Sequence, residues 1–286
     1  MIKDIAVVCN SSDAEANCFP AARALADRHA ARVCGLCLTA DLLPSMAVAA
    51  SAHGGAVIAP DVGIYEEQQE RLNRSSRHLA EAFRAAFAGL PTGWDWLEIR
   101  AEQGGLGTLA GAHARMHDLI MVSAGSDDTA GWHATIEDIV VEGGRPVIIC
   151  PVTGETRLSA PPATVVVAWD GSKEAARAVH EALPFLYRAK SVVAVTVDAD
   201  AEEDDQPTGL EALRRHLDVH GIRIAERRPA ADGASTSDVL CREARAVGAE
   251  MIVMGAFGGS WLREALFGSS TDAMINSAGC PLLLAH

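Results

Sequence analysis

The chain alternates between short apolar runs and amphipathic stretches of helical period. In the second half, VVVAWD (165–170) reads as a buried strand and 173–188 as a helix. SVVAVTV (191–197) is a second strand and 209–220 a second helix. IRIAER (222–227) alternates as a third strand. A helix over 235–247 follows, which Ser235 or Ser237 can cap. EMIVM, a helix over 269–277 and PLLLA (281–285) close the series. Short apolar runs separated by helices predict a parallel sheet with helices on both faces.

The first half repeats this plan. IAVVCN (5–10) is a first strand, as at the start of the second half, RVCGLCL is a second, and WDWLEIRAE (94–102) is a longer, alternating third. DLIMVSAG matches EMIVMGAF, and TIEDIVVEGGRPVIICP aligns with STDAMINSAGCPLLLAH without a gap. Between the copies, TGETRLSAPPAT (153–164) reads as an extended linker around Pro161-Pro162. The expected units are therefore 1–153 and 162–286. A length of 286 residues suits two domains of roughly 140 residues.

The segment from Leu42 to Pro60 has no charge but is broken by Pro44 and Gly54-Gly55. It is too poor in large apolar residues for a membrane span and reads as a loop or short helix. No stable membrane insertion is expected. A net charge of −14 opposes broad attraction to nucleic acid or anionic lipid. The seven cysteines, an odd number placed mostly in apolar segments, suit a reducing cytoplasm. Cys34 and Cys37 fall three apart on a strand, so their thiols should diverge to opposite faces.

The candidate chemistry lies in GAFGGSWLREALFGSST, from Gly255 to Thr271, directly after an apolar strand. Ligands of open parallel sheets sit beyond the carboxyl ends of strands, where the strand order reverses. Gly255 stands at such an end. Gly258 and Gly259 let backbone approach a ligand. Gly268-Ser269-Ser270-Thr271 opens a helix whose unpaired N–H groups favour phosphate. Asp170, ending the first strand of the unit, can accept bonds from a ribose.

The spacing Gly255-x2-Gly258-x9-Gly268-Ser269 resembles the nucleotide-binding signature of universal stress proteins, and the order of elements in both halves resembles that family's unit. The resemblance implies two tandem, doubly wound, Rossmann-like parallel sheets of five strands, each in the order 3-2-1-4-5. It further implies that Asp170 contacts ribose or adenine and that backbone near Thr196 meets the base. Gly255, Gly258, Gly268, Ser269 and Ser270 would hold the phosphates, with Arg263 screening their charge. The ligand implied is ATP, or ADP or AMP, with Mg²⁺ as a candidate companion. The first copy departs from the pattern: Asn10 stands for Asp170, Ser123 for Gly255, His133 for Gly268 and Ala134 for Ser269. One nucleotide per chain is the expectation.

Other constellations carry less. His113 and His117 are spaced i,i+4 but flank Arg115, and read as a surface pair. His180, His216 and His220 show no evident ligand spacing. DADAEEDD (198–205) reads as a solvated loop. Neither Gly-Lys-Ser/Thr nor Gly-x-Ser-x-Gly occurs.

Three functions fit the residues. A cytoplasmic stress-response sensor or binding module for adenine nucleotide is preferred. A slow ATPase or self-phosphorylating enzyme would use Ser269, Ser270 or Thr271 as acceptor, yet only Asp170 offers itself to hold Mg²⁺ or orient a nucleophile. A nucleotide-free interaction protein would use the uncharged 42–60 segment. The family topology places each terminal strand at a sheet edge, which tends to acquire a partner. The two copies are thus expected to pair within one chain, and any homodimer to use other surfaces.

Overall fold

The computed structural model describes residues 1–10, 18–41, 46–50, 56–60, 62–125, 131–151, 162–197, 209–256 and 279–286. The N-terminal half contributes β1 (Asp4–Asn10), α1 (Phe19–His29), β2 (Arg32–Ala40), β3 (Met46–Ala50), β4 (Ala56–Pro60) and α2 (Val62–Phe87). β5 (Trp94–Ala101), α3 (Leu106–Ala114), β6 (Leu119–Ser123), α4 (Trp132–Gly143) and β7 (Val147–Cys150) complete it. The C-terminal half contributes β8 (Thr164–Ala168), α5 (Lys173–Leu186), β9 (Ser191–Val195) and α6 (Leu210–Val219). It ends with β10 (Ile224–Arg227), α7 (Thr236–Val247), β11 (Met251–Gly255) and β12 (Leu282–Ala285).

Ten of these strands form one sheet in the order β10-β9-β8-β11-β12-β7-β6-β1-β2-β5. Within each half the neighbours run parallel, as the crossover helices require. The halves meet at β7 and β12, which pair antiparallel with Leu283 opposite Ile148. The terminal strands therefore pair inside the chain, as their edge positions suggested, and each covers the other's open hydrogen-bonding groups.

Period-two alternation sorts the strand side chains into two cores. On one face Val7, Met121, Ile148, Val167, Val253 and Leu283 meet α1, α2, α5 and α6. On the other, Val8, Val122, Ile149, Val166, Ile252 and Leu284 meet α3, α4 and α7. Each core runs through both halves, so the β7–β12 junction is buried on its two sides. Cys37 lies in the first core while Cys34 packs against the second, so the thiols diverge as strand geometry demands. All seven cysteines are free, and burial pushes Cys18 and Cys280 up to about 12. Such thiols are poor nucleophiles at neutral pH.

The 42–60 segment corrects the sequence reading. Its described residues, β3 and β4, form a separate antiparallel pair with Met46 opposite Pro60 and Ala50 opposite Ala56, neither a loop nor a helix. Among the described residues no helix is long and apolar enough to cross a membrane.

α3 and α4 approach closely because two glycines face the crossing. A Cβ on Gly107 would stand 2.8 Å from the Thr135 carbonyl oxygen, and one on Gly111 would lie 3.0 Å from Glu142 Cβ. The i,i+4 spacing puts both glycines on one side of α3.

Candidate functional site

The strand order reverses at β8, which has β9 on one side and β11 on the other. The carboxyl ends of β8, β9 and β11 therefore border a crevice of the kind that holds ligands in open α/β sheets. Asp170 lies just past β8 and is exposed. Its Oδ1 accepts from the Ser172 N–H at 3.0 Å and from the Ser172 hydroxyl at 2.6 Å. Ser172 in turn caps α5, its Oγ accepting from the Ala175 N–H at 3.1 Å. This chain of bonds fixes the turn from β8 into α5 and sets the carboxylate at the mouth of the crevice.

Gly255 ends β11, and its lack of a side chain has a packing cause. A Cβ there would run into the Ala175 nitrogen and the Glu174 carbonyl carbon, and would lie 2.8 Å from Glu174 Cβ. The first turn of α5 thus rests directly on the end of β11. Glu174, only 6% exposed, is held there with Lys173 Nζ 3.3 Å from its Oε1.

Thr196 follows β9 on the face of Val192 and Ala194. Its N–H donates to the Arg227 carbonyl at 3.1 Å, so the amide belongs to the strand ladder. Its Oγ1 is buried and has no hydrogen-bond partner. Leaving a buried hydroxyl unpaired costs roughly 1–3 kcal/mol, so this atom marks a place where a polar group fits.

The structure brings Asp170, Thr196 and Gly255 to the ends of three adjacent strands. Gly258, Arg263, Gly268, Ser269 and Ser270 lie outside the described residues. The acidic 198–205 loop lies outside them too.

The same end of the N-terminal half is differently furnished. Trp132, the first residue of α4 and 2% exposed, donates its Nε1–H to the Ser123 carbonyl at 3.0 Å. An indole therefore closes the end of β6, in the place that corresponds to the end of β11. Gly131, in a left-handed conformation with φ 95°, precedes α4 with no side-chain cap. Strand register makes Cys37 the counterpart of Thr196, since β1 pairs Val8 with Leu36 as β8 pairs Ala168 with Val195. Cys37 Sγ lies 3.5 Å from the hydroxyl of Ser76 on α2, and that hydroxyl donates to Glu98 Oε1 at 3.1 Å. Where the C-terminal half leaves an orphan oxygen, the N-terminal half has a satisfied network. Ser123 and His133 stand out against the glycines of the second half in sequence, whereas the places of Trp132 and Cys37 emerge only in the structure. The bulk of an indole next to the loop was the available signal.

Residues 163–286 match the universal stress protein family. This half of the chain is a universal stress protein unit. A search of curated protein sequences returned no match. In fold, the whole chain is similar to a universal stress protein from Archaeoglobus fulgidus DSM 4304, at 17% identity and a TM-score of 0.66, covering 98% of this chain and 95% of that one. A functionally unknown protein from Pseudomonas aeruginosa PAO1 is similar at 15% identity and a TM-score of 0.54, covering 99% of this chain and 92% of that one. At these identities the likeness concerns the fold, and it extends over both halves. The N-terminal half thus repeats the architecture of the universal stress protein unit.

The histidines correct the sequence reading at one pair. Only His113 lies on α3, because the helix ends at Ala114; His117 is 7% exposed, with Nε2 3.7 Å from Asp4 Oδ1. They do not form a surface pair. His180, His216 and His220, which show no ligand spacing in the sequence, come together as rings: the centroids are 4.8 Å apart for His180 and His216 and 4.9 Å for His216 and His220. The i,i+4 spacing of His216 and His220 on a predicted helix was the signal for half of this cluster. Among the described residues, no group of three or more His, Cys, Asp or Glu is arranged to hold a metal ion.

Proposed function

We propose that the chain binds ATP, or a related adenine nucleotide, in the crevice at the carboxyl ends of β8, β9 and β11. In this reading it serves as a cytoplasmic nucleotide-responsive module of the stress response. The observation that carries the proposal is the buried, unpartnered Thr196 hydroxyl beside a topological switch point. A ribose hydroxyl or a base nitrogen would satisfy it. Asp170, already oriented by Ser172, would accept from the ribose. The phosphates would then fall to the loop and helix entrance carrying Gly258, Arg263, Gly268, Ser269 and Ser270, with Mg²⁺ as a candidate companion of the triphosphate. Gly255 would act by letting α5 and β11 close on one another, and so by shaping the crevice wall.

On the same reading, residues 162–286 form the binding unit and residues 1–153 a unit that has lost its site. The Trp132 indole over the end of β6 and the paired Cys37 support that division.

Calorimetric titration of the full chain with ATP tests the proposal. One nucleotide per chain is expected. Thr196→Val should weaken binding about tenfold, the loss of one hydrogen bond of roughly 1.4 kcal/mol, while leaving the urea midpoint unchanged or raised. Absence of binding at millimolar nucleotide would overturn the reading. Two nucleotides per chain would overturn the division between the halves.

A further inference from the structure

The C-terminal half carries a second grouping of functional side chains, away from the crevice. α5 and α6 lie on the same face of the sheet, joined through Val179, Leu186, Leu213 and Leu217 in one core. At their edge three imidazoles touch in series, His180 of α5, then His216 of α6 and His220 at the C-cap of α6. His180 Nδ1 lies 2.7 Å from the Ala176 carbonyl oxygen. A carbonyl can only accept, so Nδ1 carries the proton and the ring is held against its own helix. The central ring, His216, has its Nε2 buried without a hydrogen-bond partner.

We propose that His180, His216 and His220 form an acid-sensitive clasp between α5 and α6, closed while the imidazoles are neutral and opened when they take up protons. The rings of neutral histidines pack face to edge like other small aromatics. Each added proton places a positive charge within ring-contact distance of the next, and the unpartnered Nε2 of His216 gains an N–H with nothing to receive it.

Among the described residues no carboxylate acts on His216. The groups acting on His216 are His180 from α5 and His220 from its own helix, and both oppose its protonation. The carboxylates of α6 are engaged elsewhere: Glu211 and Asp218 hold Arg214, and Arg215 also lies near Glu211. β9 has no titratable residue, and Glu226 of β10 acts on Arg214. Burial, followed by the two neighbouring imidazoles, moves His216 below the ordinary histidine value of 6.5.

The sign of the effect follows. The unfolded chain protonates this histidine near its ordinary value, whereas the folded chain resists. The clasp contributes in full above about pH 6.5 and is lost as the pH falls below it.

NMR titration of the histidine rings in the full chain, with urea unfolding at about pH 7.5 and about pH 5.5, tests the clasp. His216 should titrate below the ordinary histidine value of 6.5. The wild-type urea midpoint should drop more on acidification than that of His216→Gln. Equal drops in the two proteins, or a His216 that titrates at or above the ordinary value, would overturn the proposal. Should His216→Gln fail to fold, His220→Gln serves in its place. Removing one neighbouring charge should raise the titration of His216, and an unchanged titration overturns the proposal equally.

Discussion

At the scale of single residues, a glycine in a sequence announces that something approaches the backbone without saying what. Gly255 was legible as a strand-end glycine before a loop rich in glycine and hydroxyls, and a phosphate was the expected visitor. The structure brings the first turn of α5 against it. Gly255→Ala should therefore destabilise the chain by about 1–3 kcal/mol, the usual cost of forcing an extra methyl group into a packed interior. Urea unfolding in the absence of nucleotide would measure it, and an unchanged midpoint would show that α5 shifts freely. Thr196 shows the converse. Its position at the end of a strand was plain from the apolar run SVVAVTV, but the orphan state of its hydroxyl depends on what surrounds the strand end. No local pattern records that. Trp132 is half such a case: its bulk beside the loop was readable, but that it closes the end of β6 depends on where the start of α4 lies in space.

At the scale of elements, the described strands and helices of the C-terminal half were legible because their apolar periods are long; the helix expected over 269–277 lies outside the described residues. Ser235 accepts from the N–H three residues on, as its position suggested, and Ser172, which the sequence reading did not single out, does the same. The 46–60 hairpin was not legible, since Ala- and Ser-rich runs broken by glycine favour no period strongly. α4 illustrates a property that patterning cannot give. Burial, and then the neighbouring charge of Asp138, raise Glu137 on this helix from 4.5 to about 7. The folded chain therefore holds a proton that the unfolded chain releases near its ordinary value. Stability should fall as the pH rises from about 4.5 to about 7 and stay lowered above that. Glu137→Gln removes the titration and keeps the shape. Its urea midpoint should exceed the wild type's at about pH 8 and approach it at about pH 4, and the opposite order would place Glu137 in a favourable ion pair.

At the scale of the whole molecule, the decisive contact is three residue pairs long. β7 and β12 are the last strands of their halves and close each other's edge. Through them two five-stranded sheets become one sheet with a common core on either face. The tandem repeat and the apolar terminal strands made that junction legible, because an edge of valines, leucines and isoleucines cannot stay open to water without inviting association. The antiparallel sense follows from bringing two equivalent edges together by a two-fold rotation. Leu283 sits at the centre of the junction, fully buried and opposite Ile148. Leu283→Ala should cost about 2–5 kcal/mol, the range for a buried leucine that leaves a cavity. If the sheet is one cooperative unit, the cost reaches both halves. Hydrogen-exchange mass spectrometry of the full chain should then register lost protection in β6 and β1 together with β11 and β8. Loss confined to β8 and β11 would mean that the halves open separately, with the shared strands serving as a weld between two independent folding units.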